Sequence, residues 1–119
     1  MNTDLDNVRC IVEWATELNF AITVSDINNN IIYMNNKSKA SFSDTKIGDN
    51  LDNCHSNSSN EIIKKLKENN ISNTYTIQKN ETKKLIHQTP WYKNGIVAGL
   101  VELSIIIPNN ISHYNRDNQ

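Results

Sequence analysis

The second half of the chain alternates apolar and polar residues in two long runs. Thr82 to Ile107 reads TKKLIHQTPWYKNGIVAGLVELSIII, which predicts two strands around one sharp turn. Asn94-Gly95 tolerates the positive φ that both central positions of a type I′ two-residue turn need. On the first strand Leu85, His87, Thr89 and Trp91 fall on one face. On the second, Leu100, Glu102, Ser104 and Ile106 alternate with Val101, Leu103, Ile105 and Ile107, since successive strand side chains point to opposite faces. Val101 to Ile107 thus presents a wholly aliphatic face, and the other face carries a carboxylate and a hydroxyl among apolar residues. A face of that kind suits either water or a cavity that orients something polar.

Earlier in the chain the period changes. Leu5, Val8, Ile11, Val12, Ala15 and Leu18 recur at helical spacing and predict a helix from about Thr3 to Leu18, with Trp14 beside its stripe as an anchor. The aliphatic face of Val101, Leu103, Ile105 and Ile107 is the surface this stripe is expected to cover. Phe20 to Asp26 and Ile31 to Asn35 read as a second hairpin, turned at Ile27 and Asn28-Asn29-Asn30. Asn35 or Asn36 is placed to cap one or two helical turns. Residues 43–53 are polar and read as turns and loop. A helix is expected from about Asn60 to Asn69, burying Ile62, Ile63 and Leu66 and wetting Lys64, Lys65 and Lys67. Asn73 to Lys79 is a further strand, turned at Asn80-Glu81. Pro90 cannot donate to a ladder and predicts a bulge or unpaired position. Pro108 ends the last strand, and Asn109 to Gln119 reads as a polar tail. The expectation is an α+β domain with a five-stranded antiparallel sheet, short helices on one face and an N-terminal amphipathic helix. Its parts are a helix over residues 1–19, a core domain over 20–108 and a tail over 109–119.

Composition narrows the function classes. With 12 Lys and Arg against 13 Asp and Glu the formal charge is −1, so no electrostatic footprint for nucleic acid or an anionic membrane is expected. The chain's 119 residues suffice for one core without metal or disulfide staples. No signal peptide or membrane-length apolar run is read, which suggests a soluble cytoplasmic protein. Cys10 and Cys54 are then expected to be free thiols.

The element order resembles the PAS domain, and in particular the small stand-alone bacterial PAS proteins. The resemblance rests on AITVSDINNNIIYMNN at the first hairpin, the helix near Ile62 to Leu66 and the final GLVELSI run. Cys54-His55 before the long helix and the QTPWY stretch add to it. One departure is Ser56, where the family often has Pro after the Cys-His pair. The resemblance implies a sensor or signalling module with a small-molecule cavity between sheet and helices, and it implies that the line through Glu102 and Ser104 faces that cavity. It also leads us to expect a homodimer through the N-terminal stripe, or a separate effector protein, because no output domain follows Pro108.

Candidate ligand-binding residues are His55, His87, Trp91, Glu102, Ser104 and Tyr33. His87 and Trp91 flank Thr89 on one strand face, and Glu102 and Ser104 lie on the equivalent line of the neighbouring strand. A carboxylate in a cavity selects a cationic or hydrogen-bond-donating ligand. No metal site is expected, since Cys54 and His55 are adjacent and their side chains do not readily share one ion. Heme is the alternative cofactor, with His55 as first axial candidate and His87 as second. A capping or hydrogen-bonding role for His55 stands beside that reading, and a ligand-free dimerisation module is a third. No motif points to an enzyme: a Cys54 nucleophile would need a His and Glu102 brought together, and no Gly-rich phosphate loop or CxxC pair is present.

Overall fold

The structure is a computed structural model and describes residues 12–54 and 57–118. Its centre is a five-stranded antiparallel sheet in the order β2-β1-β5-β4-β3. The strands are β1 (Ala21–Asp26), β2 (Ile31–Met34), β3 (Asn73–Lys79), β4 (Thr82–Lys93) and β5 (Ile96–Ile107). Three helices, α1 (Asn36–Ser41), α2 (Leu51–Cys54) and α3 (Asn57–Asn69), fill the connection from β2 to β3. Thus α2 begins inside the stretch expected to be loop, and α3 begins three residues before the expected start.

The β4–β5 hairpin turns as its sequence predicts. Lys93 pairs with Ile96, and Asn94 and Gly95 have φ of 54° and 80°, the positive pair a type I′ turn requires. The ladder then slips. Tyr92 pairs with Val97 but Trp91 pairs with Gly99, so Ala98 has no partner and every later pair is displaced by one residue. Pro90 itself stays in register opposite Leu100. On its other side β3 reaches only as far as the Asn73–Gln88 pair, so the missing proline N–H falls where β4 has no neighbour to receive it.

Residues directly opposite one another share a face, so the registers divide the sheet into two surfaces. One carries the rows Met34–Thr23–Glu102–Gln88–Asn73 and Ala21–Ser104–Ile86–Tyr75. The other carries Tyr33–Val24–Val101–Thr89 and Ile22–Leu103–His87–Thr74. Helices cover the first surface. Its core cluster is Ile31, Met34, Leu51, Ile63, Leu66 and Leu100, in which α3 contributes two residues one turn apart. Ile62, expected to be buried with them, is 44% exposed, because the stripe that meets the sheet is narrower than three positions.

Two polar devices fasten the helical segment. Asn35 caps α1, and its fully buried carboxamide makes four hydrogen bonds. Its Oδ1 accepts from the Ile22 and Ser38 amides, and its Nδ2 donates to the carbonyls of Ala15 and Phe20. It therefore ties the helical residues 12–16, β1 and α1 to one point. At the other end Lys67, expected on a wet face, is half-buried and donates to the Ile27 carbonyl at 3.1 Å and to Asn29 Oδ1. Burial lowers its pKa, and the opposing charges of Asp52 and Asp26 partly offset that.

Asp26 organises the β1–β2 turn. Its Oδ1 accepts from the amides of Asn28 and Asn30, each at 2.9 Å. The Asn30 amide is the main cause holding its pKa below the ordinary 3.8. The carboxylate therefore favours the folded turn above that value, and the contribution is lost as pH falls through the lower folded value. In an acid titration followed by NMR, the Asn28 and Asn30 amide resonances are expected to move with a midpoint below 3.8, before global unfolding.

The expected start of the N-terminal helix at Thr3 lies outside the described residues. Trp14 does not act as an anchor: it is 65% exposed, and Val12 is also exposed. The described part of that helix meets Asn35 through the Ala15 carbonyl and β2 through Thr16 Oγ1, 3.4 Å from the Tyr33 hydroxyl.

Candidate functional site

Above the middle of the helix-covered surface lies a cavity of about 120 Å³, lined by Thr23, Ile31, Met34, Phe42, Thr45, Leu51 and Glu102. A deeper recess of about 10 Å³ continues toward Ser25 and Leu100. The floor comes from β1, β2 and β5. Phe42 follows α1, Thr45 lies in the next loop and Leu51 opens α2. That loop is held over β2 by backbone bonds from Ile31 to Asp49 and from Gly48 to Ile31, each 2.8 Å. The walls are largely apolar, and Glu102 is the one charged side chain among the described residues that line them.

Glu102 belongs to a polar row that crosses three strands. Asn73 Nδ2 donates to Gln88 Oε1, and Gln88 Nε2 donates to Glu102 Oε2, both at 3.2 Å. Donation runs in one direction and ends on the carboxylate, the arrangement in which successive bonds polarise one another. Gln88 is 5% exposed, so its amide is spent holding Glu102 rather than meeting water. The carboxylate's influence extends to Tyr75 on the neighbouring row. Burial first, and the Glu102 charge second, raise the Tyr75 hydroxyl above its ordinary value of 10.0.

The candidate residues divide between the two surfaces. Glu102 and Ser104 lie on the helix-covered face, but only Glu102 lines this cavity. Ser104 lies one row along, in a groove with Phe20, Lys37, Ser41, Lys84 and Ile106. His87 and Trp91 are not on the line of Glu102, which corrects the expectation that they share it. The bulge at Ala98 displaces the ladder, so His87 faces Leu103 and Gln88 takes the place opposite Glu102. His87 Nδ1 is engaged with Thr74 Oγ1 at 2.7 Å. Trp91 lies across Gly99 and donates from Nε1 to the Ser25 carbonyl at 2.9 Å, so it bridges β4 to β1. Tyr33 shares the opposite face and meets Thr16. His55 lies outside the described residues.

Sequence reasoning missed Gln88, Thr23, Phe42 and Thr45. The signal for Gln88 was Gly99, since a glycine inside a strand often marks a bulge or a close backbone approach. Heme does not fit this cavity. Its volume of about 120 Å³ is of the order of a cavity that takes benzene, far short of a porphyrin, and His87 lies on the other side of the sheet. Among the described residues no three His, Cys, Asp or Glu side chains gather as a metal site. Nor is any helix among them long and apolar enough to cross a membrane.

No family model matches the chain, and no curated protein matches it. Solved structures do. A C-terminal domain from Streptococcus mutans superposes with a TM-score of 0.64 at 16% identity, covering 86% of this chain and 84% of that one. The PAS domain of a protein from Colwellia psychrerythraea gives 0.60 at 23% identity, covering 86% and 98%. The PAS domain of BvgS from Bordetella pertussis gives 0.59 at 13% identity, covering 87% and 88%. At these identities the likeness speaks to architecture, and it agrees with the sheet order and with α1 to α3 on one face: the chain has the PAS fold.

Proposed function

We propose that this domain is a sensor module that binds a small molecule between the sheet and its helices and signals by altering protein association. The observation that carries the reading is the cavity at Glu102, whose apolar walls surround one oriented carboxylate. At about 120 Å³ it is close in size to an engineered apolar cavity of about 150 Å³ that takes benzene, so its ligand has a handful of non-hydrogen atoms. The cavity favours ligand binding over a ligand-free dimerisation module, whose core would be filled. Its described residues are suited to holding a molecule rather than transforming one, because no nucleophile with an adjacent base is among them.

Occupancy can act on association because the cavity roof is the loop and helix segment that also fixes α1 and the N-terminal helix through Asn35. A ligand that binds one arrangement of that segment better than another shifts the population between them. The responding surface is then a second copy of the chain or a separate effector protein.

Native mass spectrometry of gently purified protein reads occupancy and oligomeric state together. An adduct of small mass is expected, and it is expected to disappear in Thr45→Trp, which places an indole at the cavity mouth with little effect on the buried core. An adduct that persists in Thr45→Trp would locate the ligand elsewhere. A monomer at every concentration, with and without adduct, would remove the association half of the proposal.

A further inference from the structure

Resting on that reading of the cavity, we propose that its ligand is a small organic cation, an amine with a short aliphatic body, for which Glu102 is the counter-ion. Glu102 is half-buried, and one of its oxygens, Oε2, is used by Gln88. Oε1 accepts no hydrogen bond from the described residues, and the one ion pair among them joins Lys64 to Glu68 on the outside of α3. Among the described residues the nearby basic side chains are committed or distant. Lys67 is held by Ile27 and Asn29, and Lys84 lies two rows from Glu102, where it lines the separate groove with Ser104.

A carboxylate with no positive partner among the described residues, set beside apolar walls, is a standing electrostatic demand. Charges attract more strongly as the effective dielectric falls, so the walls of Ile31, Met34 and Leu51 strengthen what Glu102 can offer a cation. A neutral hydrogen-bond donor would cover the carboxylate without balancing its charge, and an anion would be repelled. A hard metal ion is a poor occupant, because calcium takes six to eight oxygen ligands and these walls supply few. An alkylammonium group matches both halves of the site: its N–H donors reach the free oxygen, and its carbon body takes the apolar wall. Such charge-assisted bonds are about twice as strong as neutral ones.

Three probes of matched shape separate the charge from the cavity: 3-methylbutylamine, 3-methylbutanol and 3-methylbutanoate, each titrated into the full chain and followed by amide NMR. The amine is expected to shift the resonances of Thr23, Met34, Leu51 and Glu102 and to bind at least about tenfold more tightly than the alcohol, a difference of about 1.4 kcal/mol. The carboxylate probe is expected to bind weakest. Glu102→Gln, of equal length, is expected to bring amine and alcohol to the same affinity while the spectrum stays dispersed. If amine and alcohol bind the wild type equally at these residues, the cation inference is overturned and the cavity reading stands. If none of the three moves these resonances, both are overturned. The wild-type ranking decides the matter even if the variant fails to fold.

Discussion

Replacing Asn35 with alanine is expected to destabilise the domain by about 3 kcal/mol, measured as a fall in the urea midpoint at unchanged slope. The side chain is fully buried and its four bonds span 2.8 to 3.0 Å. Alanine would leave the Ile22 and Ser38 amides and the Ala15 and Phe20 carbonyls without those partners. A buried unsatisfied group costs roughly 1–3 kcal/mol, and partial access to water at the N-terminal side keeps the total below a simple sum. Asn35→Asp is expected to be no rescue. It keeps the acceptor that caps α1 but turns a second oxygen toward two carbonyls that need a donor. A variant with near wild-type stability would show that this junction is not where the helical segment is fastened.

Gly99→Ala is expected to cost about as much, roughly 3 kcal/mol or more, for a reason of space rather than lost bonds. A Cβ built at Gly99 would sit 1.9 Å from the Ser25 carbonyl oxygen and 2.5 Å from Trp91 Nε1. The indole could swing away, but the carbonyl belongs to the backbone of β1, which pairs with β5 along its whole length. Relief therefore requires the two central strands to part. Combining Gly99→Ala with Trp91→Ala is expected to recover little of the loss, because the clash with Ser25 remains. Recovery to the level of Trp91→Ala alone would show that the indole is the sole obstacle. Urea denaturation of the three variants separates these outcomes.

Local chemistry made much of this fold legible in the sequence. Asn94-Gly95 specifies its turn through the φ values it tolerates, and Ile31 and Met34 mark a strand whose buried positions are apolar. The PAS-like order of elements follows from such signals taken together. What was less legible is the residue at which the ladder slips. Pro90 and Gly99 signal a bulge nearby, but Ala98 is an ordinary small apolar residue inside an alternating run, and nothing in its side chain announces that it is the one without a partner. Its effect is nonlocal: it exchanges His87 for Gln88 opposite Glu102 and moves two of the candidate residues to the far surface. Lys67 was misread for a related reason. Its helical position is polar, and only the tertiary arrangement brings the β1–β2 turn over it.

Glu102 itself was legible because a carboxylate on a strand of aliphatic residues is conspicuous wherever the register falls. Its partners were not, since Thr23, Phe42 and Thr45 come from segments whose distance from β5 in sequence carries no pattern. Phe42 ends a short helix and Thr45 lies in a loop, where neither period 2 nor period 3.6 applies.

The site assigned to Glu102 rests on the sheet register beyond the bulge, and cross-strand backbone NOEs in isotopically labelled protein measure that register directly. The structure predicts contacts linking Gln88 with Glu102 and His87 with Leu103. Contacts linking His87 with Glu102 would mean an unbroken hairpin, would return His87 and Trp91 to the cavity, and would contradict a site built on Glu102 and Gln88.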